Sequence, residues 1–273
     1  LGDVYKRQAA DEVSEENFDE VFDGTGMVAM PGMTDAHVHM GCLFAKGEFP
    51  VDYATVLTVA KCKDALMAGF TTFRDAGSVS EGLKLAFDEG VLPGPRIYPC
   101  GAYISQTCGH GDSEYAHTYR DIQYRHPSST VLADGVPEII RAVREQFYRG
   151  ASHIKLMATE ILNRHEDIRL LFGTDMMITG PDYQVEQSED IRYYEKRFGT
   201  MRALRALTGT ANEVFALTTY QNPYPKGKIG VLEAGSYADL LLVDGDPTKS
   251  VSVLADTDHL RLIMKGGTAV SYT

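Results

Sequence analysis

The residues best suited to chemistry in this sequence are two histidines, His37 and His39, at the end of a short apolar run. The run from Val28 to Val38 alternates as a strand does, and the turn-forming pair Pro31-Gly32 interrupts it. In a strand, side chains at positions i and i+2 point to the same face. Two imidazoles on one face can bind a divalent ion, so this strand end is a candidate metal site.

The elements that would position these histidines alternate between strand and helix. The pattern predicts strands at 28–38, 70–75, 96–103, 153–157 and 168–175. It predicts helices at 54–68, 80–89 and 136–149, and one or two helices over 189–216. It also predicts a small β unit from strands at 228–243 and 260–270. The alternation favours right-handed βαβ units and a parallel sheet, which makes the chain an α/β protein.

Polar residues stand at or just beyond the ends of the predicted strands. They are His37 and His39, the pair Arg74-Asp75, His110 in a glycine-rich loop, Lys155 and Asp175. In a TIM barrel the active-site residues lie at the carboxyl ends of the strands. The distribution of polar residues therefore fits that fold. Arg74 and Asp75 would form an ion pair beneath the site.

Composition excludes several kinds of partner. The chain has 273 residues, a net charge of −12, 44% hydrophobic and 23% charged residues. A strongly acidic balance argues against nucleic acid and anionic membranes as partners. The four cysteines form no CxxC pair, so we expect free and mostly buried thiols.

Several segments together resemble the metal-dependent amidohydrolase superfamily, within it the branch of imidazolonepropionase-related hydrolases and Xaa-Pro dipeptidase-like carboxypeptidases. The segments are Pro31-Gly32-x-x-Asp35-x-His37-x-His39, the run 69–75, the run 94–97, the run 153–156, Gly173-Thr174-Asp175 and the stretch from Gly235 to Pro247. The loop from Ser105 to Asp112, which contains His110, resembles that branch's loop after the third strand. The marks occur in family order from Val28 to the C-terminus.

The resemblance implies a (β/α)₈ barrel with a small composite β-sandwich and a zinc site of one or two ions. His37 and His39 would bind the more buried ion, and Lys155, carboxylated on its amine, would bridge two ions. Asp175 would bind metal and act as the catalytic proton shuttle. His110 would contact the substrate, and Asp35 would orient a histidine or cap backbone groups behind the ligands. The implied activity is hydrolysis of an amide or peptide C–N bond by metal-activated water.

The sequence departs from the family where strands five to seven should be. The family supplies a metal-binding histidine from each of strands five and six, but the stretch from Lys155 to Asp175 is too short for three βαβ units of about 30 residues each. We therefore expect an internal deletion near 159–167 and an incomplete barrel, because strand number and closure are linked. Two alternatives stay open: a truncated, catalytically impaired fragment or pseudo-enzyme, and a mononuclear deaminase-like hydrolase.

The expected domain organisation follows from the same resemblance. Residues 1–8 resemble translated adapter sequence and are interpreted as non-native. Residues 9–30 would be a remnant of the N-terminal β-sandwich part, residues 31–225 the barrel domain and residues 226–273 the C-terminal part of the sandwich. The expected partner is a small-molecule or dipeptide-like substrate. Unpaired edges of the open parallel sheet would also favour a homo-oligomer.

Overall fold

The structure is a computed structural model. It describes the following parts of the chain: residues 20–40, 51–77, 81–109, 111–112, 130–157, 169–177 and 183–272. The predicted substrate contact His110, the segment 159–167 and residues 1–8 lie outside these ranges.

A four-stranded parallel sheet carries the candidate site. Its strands, in spatial order, are β4 (Arg96–Tyr98), β3 (Phe70–Asp75), β2 (Met33–His39) and β7 (Met176–Met177). β2 and β3 are almost wholly buried, as in parallel sheets that are covered on both faces. Val38 pairs with Asp75 on one side and with Met176 on the other, so the carboxyl ends of the three strands meet at one edge.

A second, two-stranded parallel sheet lies beside the first. It consists of β5 (Tyr103–Ser105) and β6 (Thr130–Leu132). Leu156 forms an isolated bridge with Ile104, and the Ile104 amide donates to the Lys155 carbonyl at 2.9 Å. The described parallel strands are fewer than the eight of a closed TIM barrel, and the chain forms an incomplete barrel of that type.

Six α-helices and three 3₁₀-helices are described. The α-helices are α1 (Val51–Met67), α2 (Glu81–Asp88), α3 (Val136–Tyr148), α4 (Tyr183–Phe198), α5 (Thr200–Leu207) and α6 (Gly209–Phe215). The 3₁₀-helices are Ala216–Gln221, Val251–Ala255 and Thr257–His259. No helix in the described part of the chain is long and apolar enough to cross a membrane.

An antiparallel sheet unites the two ends of the described chain. β1 (Val28–Pro31) pairs with β8 (Leu240–Val243), which pairs with β9 (Leu260–Lys265) and then β10 (Thr268–Tyr272). The turn between β9 and β10 uses Gly266 and Gly267, both with positive φ, as a tight hairpin requires. The expected composite β unit is therefore this one sheet among the described residues.

One apolar core joins the two four-stranded sheets. It includes Met33, Phe73 and Ile97 from the parallel sheet together with Leu241 and Ile263 from the antiparallel sheet. Beside this core, the buried Arg96 guanidinium forms an ion pair with the buried Asp239 carboxylate. The shared core and this ion pair thus hold the parallel sheet against the antiparallel sheet. Cys62 and Cys100 are buried free thiols, as expected, and Cys108 is an exposed one.

Candidate metal centre

Strand β2 presents His37 and His39 to the edge where the parallel strands end. Their ring centroids are 5.4 Å apart, and both rings lie close to one carboxylate. Asp175 Oδ1 lies 2.8 Å from His37 Nε2 and 3.2 Å from His39 Nε2. The three side chains each offer one ligand atom, and these atoms all lie within 4.8 Å of one another.

Asp175 reaches this point through a tight turn before β7. Its φ is 54°, and its amide donates to the His37 carbonyl at 2.7 Å. The preceding Gly173 lies against His37 so closely that an added Cβ would stand 2.6 Å from the His37 Cβ. A glycine is therefore required here by close approach of the two chain segments. The sequence pattern predicted a strand at 168–175, whereas the described part of it, 169–175, is irregular up to Asp175.

Lys155 joins the group from the segment paired with Ile104. Its Nζ lies 3.0 Å from His37 Nε2. A single imidazole nitrogen has either one proton or one lone pair in its plane, so His37 Nε2 cannot hydrogen-bond well to both Lys155 and Asp175 at once. Four side chains from separate segments thus converge on one small volume, with more polar atoms than their mutual hydrogen bonds can satisfy.

The donor set fits a divalent metal ion. Two imidazole nitrogens and a carboxylate oxygen suit zinc and other divalent first-row ions. His39 Nδ1 is buried and has no hydrogen-bond partner among the described residues. When His39 Nε2 binds a metal, its Nδ1 carries the proton and normally donates to a neighbouring acceptor. No acceptor for the His39 Nδ1 proton is found among the described residues.

The protonation state of His37 also suits metal binding. Burial, followed by the positive charge of Lys155, lowers the pKa of His37 to about 4, although Asp175 offsets part of the shift. The ring is therefore neutral at neutral pH. Neutral imidazole is the form that ligates a metal.

Asp35 lies behind the ligands and is fully buried. Its carboxylate accepts hydrogen bonds from the His37 amide at 3.1 Å, and from the Thr174 amide at 3.3 Å and hydroxyl at 2.9 Å. Asp35 thus joins β2 to the turn that carries Asp175. Asp35 contacts His37 through the backbone amide, the kind of contact that the backbone-capping alternative predicts.

Arg74 and Asp75 do not form the expected ion pair. The Arg74 guanidinium donates to the Ala36 carbonyl at 3.3 Å, and no carboxylate of the described residues lies within ion-pair distance of it. Asp75 instead accepts from the Gly77 amide at 3.2 Å and the Met40 amide at 3.5 Å. The two side chains point to opposite sides of β3, as neighbouring strand residues do.

His153 is a residue near the site that sequence reasoning did not single out. Its Nε2 lies 3.0 Å from the Asp75 carbonyl and its Nδ1 lies 2.9 Å from the Ser152 hydroxyl. Burial lowers the pKa of His153 to about 3, and the charge of Arg74 adds to the effect. The signal was available, because His153 and Lys155 share the i, i+2 spacing of His37 and His39.

Comparison with known proteins shows which family the part of the chain around this centre matches. The amidohydrolase family matches residues 28–168. An ochratoxinase of Aspergillus niger is 34% identical over 152 residues, which are 48% of this chain and 31% of that protein. The chain spans about a third of the length of the curated relatives it matches.

Several solved structures share the fold. An amidohydrolase superposes with a TM-score of 0.80 at 22% identity, covering 98% of this chain and 92% of that one. A prolidase complexed with N-methylphosphonate-L-proline gives 0.76 at 22% identity, covering 91% and 88%. The A. niger ochratoxinase structure gives 0.70 at 20% identity, covering 90% and 84%. At these identities the likeness concerns the fold.

Proposed function

Because the chain belongs to the amidohydrolase family, we propose that it is a metal-dependent hydrolase that cleaves an amide or peptide C–N bond. The observation that carries the proposal is the convergence of His37, His39, Asp175 and Lys155 at one edge of the parallel sheet. The substrate we propose is a small molecule or a dipeptide-like compound. A prolidase and an ochratoxinase among the similar proteins support this substrate class.

The residues that would hold the ion are His37, His39 and Asp175. A bound divalent ion, which we propose to be zinc, would polarise the scissile carbonyl and lower the pKa of water toward about 7. His37 and His39 contribute imidazole nitrogens from one buried strand. Asp175 is 70% exposed, so its carboxylate is accessible to both the attacking water and the substrate. It would accept the proton of the water and return it to the leaving nitrogen.

Lys155 needs modification to serve as a ligand. Its unmodified amine is a cation 3.0 Å from His37 Nε2, where it would repel a divalent ion. Carboxylation of the amine would replace that positive charge with a carboxylate that can bind one ion or bridge two. We propose this modification for the metal-loaded protein. A mononuclear deaminase-like enzyme would need no such change.

The experiment combines metal analysis with a hydrolysis assay. A panel of dipeptides and N-acyl amino acids is incubated with the protein, and the free amine released by hydrolysis is measured. We expect bound zinc in the full chain and its loss in His37→Asn and His39→Asn. Asp175→Asn should lower hydrolysis by about 10²–10⁴-fold, the usual contribution of a general acid–base group. His259→Asn is the matched control. The His259 ring makes an exposed contact with the Asp244 carbonyl and is not one of the candidate metal ligands.

The same experiment tests the alternatives. Zinc that binds through His37 and His39 without any hydrolysis would favour the truncated, catalytically impaired form. The incomplete parallel sheet supports that alternative, since strands that carry further family ligands are absent from the described residues. Mass spectrometry under native conditions would detect carboxylated Lys155, and its presence would argue against the deaminase-like reading.

A further inference from the structure

A cavity of about 360 Å³ lies beside the candidate metal centre and is distinct from it. Its lining includes Arg74, Tyr98, His153, Phe215 and Leu217. None of the four converging residues lines it. Its volume falls within the range of pockets that bind small molecules.

The charge of the lining differs from that of the whole chain. The net charge of the chain is −12, yet among the described residues of the lining Arg74 is the one with a formal charge and none is an aspartate or glutamate. Arg74 donates to the Ala36 carbonyl and forms no ion pair with a carboxylate of the described residues. A guanidinium has five N–H donors and stays charged at any working pH. A half-buried arginine in a cavity lining whose described residues include no carboxylate favours an anionic ligand.

The rest of the lining is largely aromatic and aliphatic. Tyr98 and Phe215 stack with ring centroids 3.8 Å apart and planes 12° apart, and Phe147 and Leu217 extend the apolar surface. An apolar wall favours a ligand that buries hydrocarbon, and disfavours a small, strongly hydrated inorganic anion. The ligand should therefore combine one negative charge with an apolar group.

The cavity wall also contains a strained residue. Thr219, in the 3₁₀-helix Ala216–Gln221, has φ 48° and ψ −119°. Such a conformation is unfavourable for a β-branched residue and persists only where the surrounding structure enforces it. Strain of this kind clusters at ligand-binding sites. The strained conformation of Thr219 therefore fits a segment that helps to form a binding site.

We propose that this cavity binds a small carboxylic acid with an aromatic or branched apolar group, with its carboxylate on the Arg74 guanidinium. The planar guanidinium matches a carboxylate in a bidentate geometry. The apolar group would lie against the stacked pair Tyr98 and Phe215. Amide hydrolysis releases a carboxylic acid, so the proposed function would itself supply such a ligand, but binding does not depend on that function.

The test compares 3-phenylpropionate with its neutral analogue 3-phenylpropanamide. Both are titrated by calorimetry into the full chain after metal has been removed with a chelator, and again after zinc has been added. We expect the acid to bind at least tenfold more tightly than the amide. Arg74→Gln should weaken the acid about 10–100-fold, as expected for a charge-assisted pair, and leave the amide unchanged. Arg261→Gln, a surface arginine paired with Asp244, is the control.

A second variant keeps the test decisive if Arg74→Gln folds poorly. Leu217 is 65% exposed, so Leu217→Trp should fold and fill the cavity from its rim. It should weaken both ligands at least tenfold. Equal binding of acid and amide, or full affinity in both variants, would overturn the proposal. Binding of the acid only after zinc is added would overturn it too, because the ion would then be the anion site. Failure of zinc binding or hydrolysis leaves the metal-free titration unaffected.

Discussion

At the scale of single residues, the position of Asp175 depends on the small size of Gly173. We predict that Gly173→Ala lowers stability by about 1–3 kcal/mol, the usual cost of overpacking. The new methyl group would stand 2.6 Å from the His37 Cβ and 3.1 Å from the His37 amide nitrogen, so the turn must move away from β2. Because that movement separates Asp175 from the histidines, zinc affinity should also fall, by about tenfold or more.

Urea unfolding and a competition titration with a chromogenic chelator measure the two effects. Gly209→Ala is the matched control, because a Cβ there would meet nothing nearer than 3.8 Å. It should change neither stability beyond about 0.5 kcal/mol nor zinc affinity. A Gly173→Ala variant with unchanged zinc affinity would show that Asp175 does not bind the ion.

Sequence reasoning named the candidate ligands and Asp35 behind them, but not the distant partners that hold Asp35. The i, i+2 spacing of His37 and His39 is enough to put both on one strand face, because strand geometry is local. The hydrogen bonds of Asp35 to the Thr174 amide and hydroxyl depend on a contact between residues far apart in sequence. Spacing along the chain carries no information about such a contact. The expected pairing of Arg74 with Asp75 was wrong for a local reason, because neighbouring residues of a strand point to opposite faces.

At the scale of elements, Glu195 of α4 holds the 3₁₀-helix Val251–Ala255 in place. Its carboxylate accepts from the Ser250 hydroxyl at 2.9 Å and from the Val251 and Ser252 amides, each at 3.1 Å. These are the amides of a helix start, which lack partners within the helix. Partial burial raises the pKa of Glu195, but hydrogen bonds, first from Ser252, outweigh it and lower the pKa overall.

We predict that Glu195→Gln lowers stability by about 1–3 kcal/mol at neutral pH, since an amide NH₂ would face backbone N–H donors. A lowered folded-state pKa means that the carboxylate stabilises the fold above its ordinary pKa and that this contribution is lost as the pH falls. The difference between the two proteins should therefore shrink in acid. Chemical unfolding at pH 7 and at pH 4 measures it. Glu213→Gln, on an exposed carboxylate, should show no comparable loss. A gap that stays constant with pH would contradict the role assigned to the ionised carboxylate.

Element types were more predictable than element lengths. Helices at 54–68, 80–89 and 136–149 were predicted close to the observed α1, α2 and α3, because their apolar periodicity is local. The predicted strand at 228–243 is only β8, Leu240–Val243, since Gly230 and Gly235 have positive φ and break it. The predicted strand at 260–270 is the hairpin of β9 and β10, divided at Gly266 and Gly267. The one or two helices predicted over 189–216 are three helices, α4 to α6.

At the scale of the whole molecule, one buried ion pair joins the parallel and antiparallel parts. Arg96 of β4 donates to Asp239, which also accepts from the Gly266 amide at 2.8 Å. The Arg96 guanidinium lies over the Tyr237 ring, 4.3 Å from its centroid. We predict that Asp239→Asn costs about 3–5 kcal/mol, because it leaves the buried guanidinium without a counter-charge.

The double variant Arg96→Met with Asp239→Leu should lose much less than the sum of the single changes Arg96→Met and Asp239→Leu. Replacing both charges leaves no unpaired buried ion, so the remaining losses are in packing, in the contact with the Tyr237 ring and in the hydrogen bond from the Gly266 amide. A double-mutant cycle from urea unfolding gives the coupling energy. Additive losses would show that the two charges do not stabilise each other across the two sheets.

Lys265 of β9 lies close to this ion pair and makes the stability of the fold depend on pH. Burial lowers the pKa of Lys265 to about 8 from its ordinary 10.5, and the positive charge of Arg96 contributes, whereas Asp239 and Asp88 partly offset it. Below pH 8 the lysine is charged in both states, and the folded state carries the full cost of that charge. Between about pH 8 and 10.5 the unfolded chain binds more protons, so this contribution to stability rises with pH.

We predict that Lys265→Met is more stable than the natural chain at pH 7 by up to about 3 kcal/mol, the free energy that corresponds to the lowered pKa. The gap should close as the pH rises from 8 to 10.5, because the natural lysine then becomes neutral in the folded state. Urea unfolding of both proteins across that range measures it. Lys228→Met is the control, since Lys228 is 59% exposed. A stability gap that stays constant from pH 7 to 10.5 would show that the Lys265 amine keeps its ordinary pKa in the folded chain, and that the junction between the two sheets tolerates a third charge without cost.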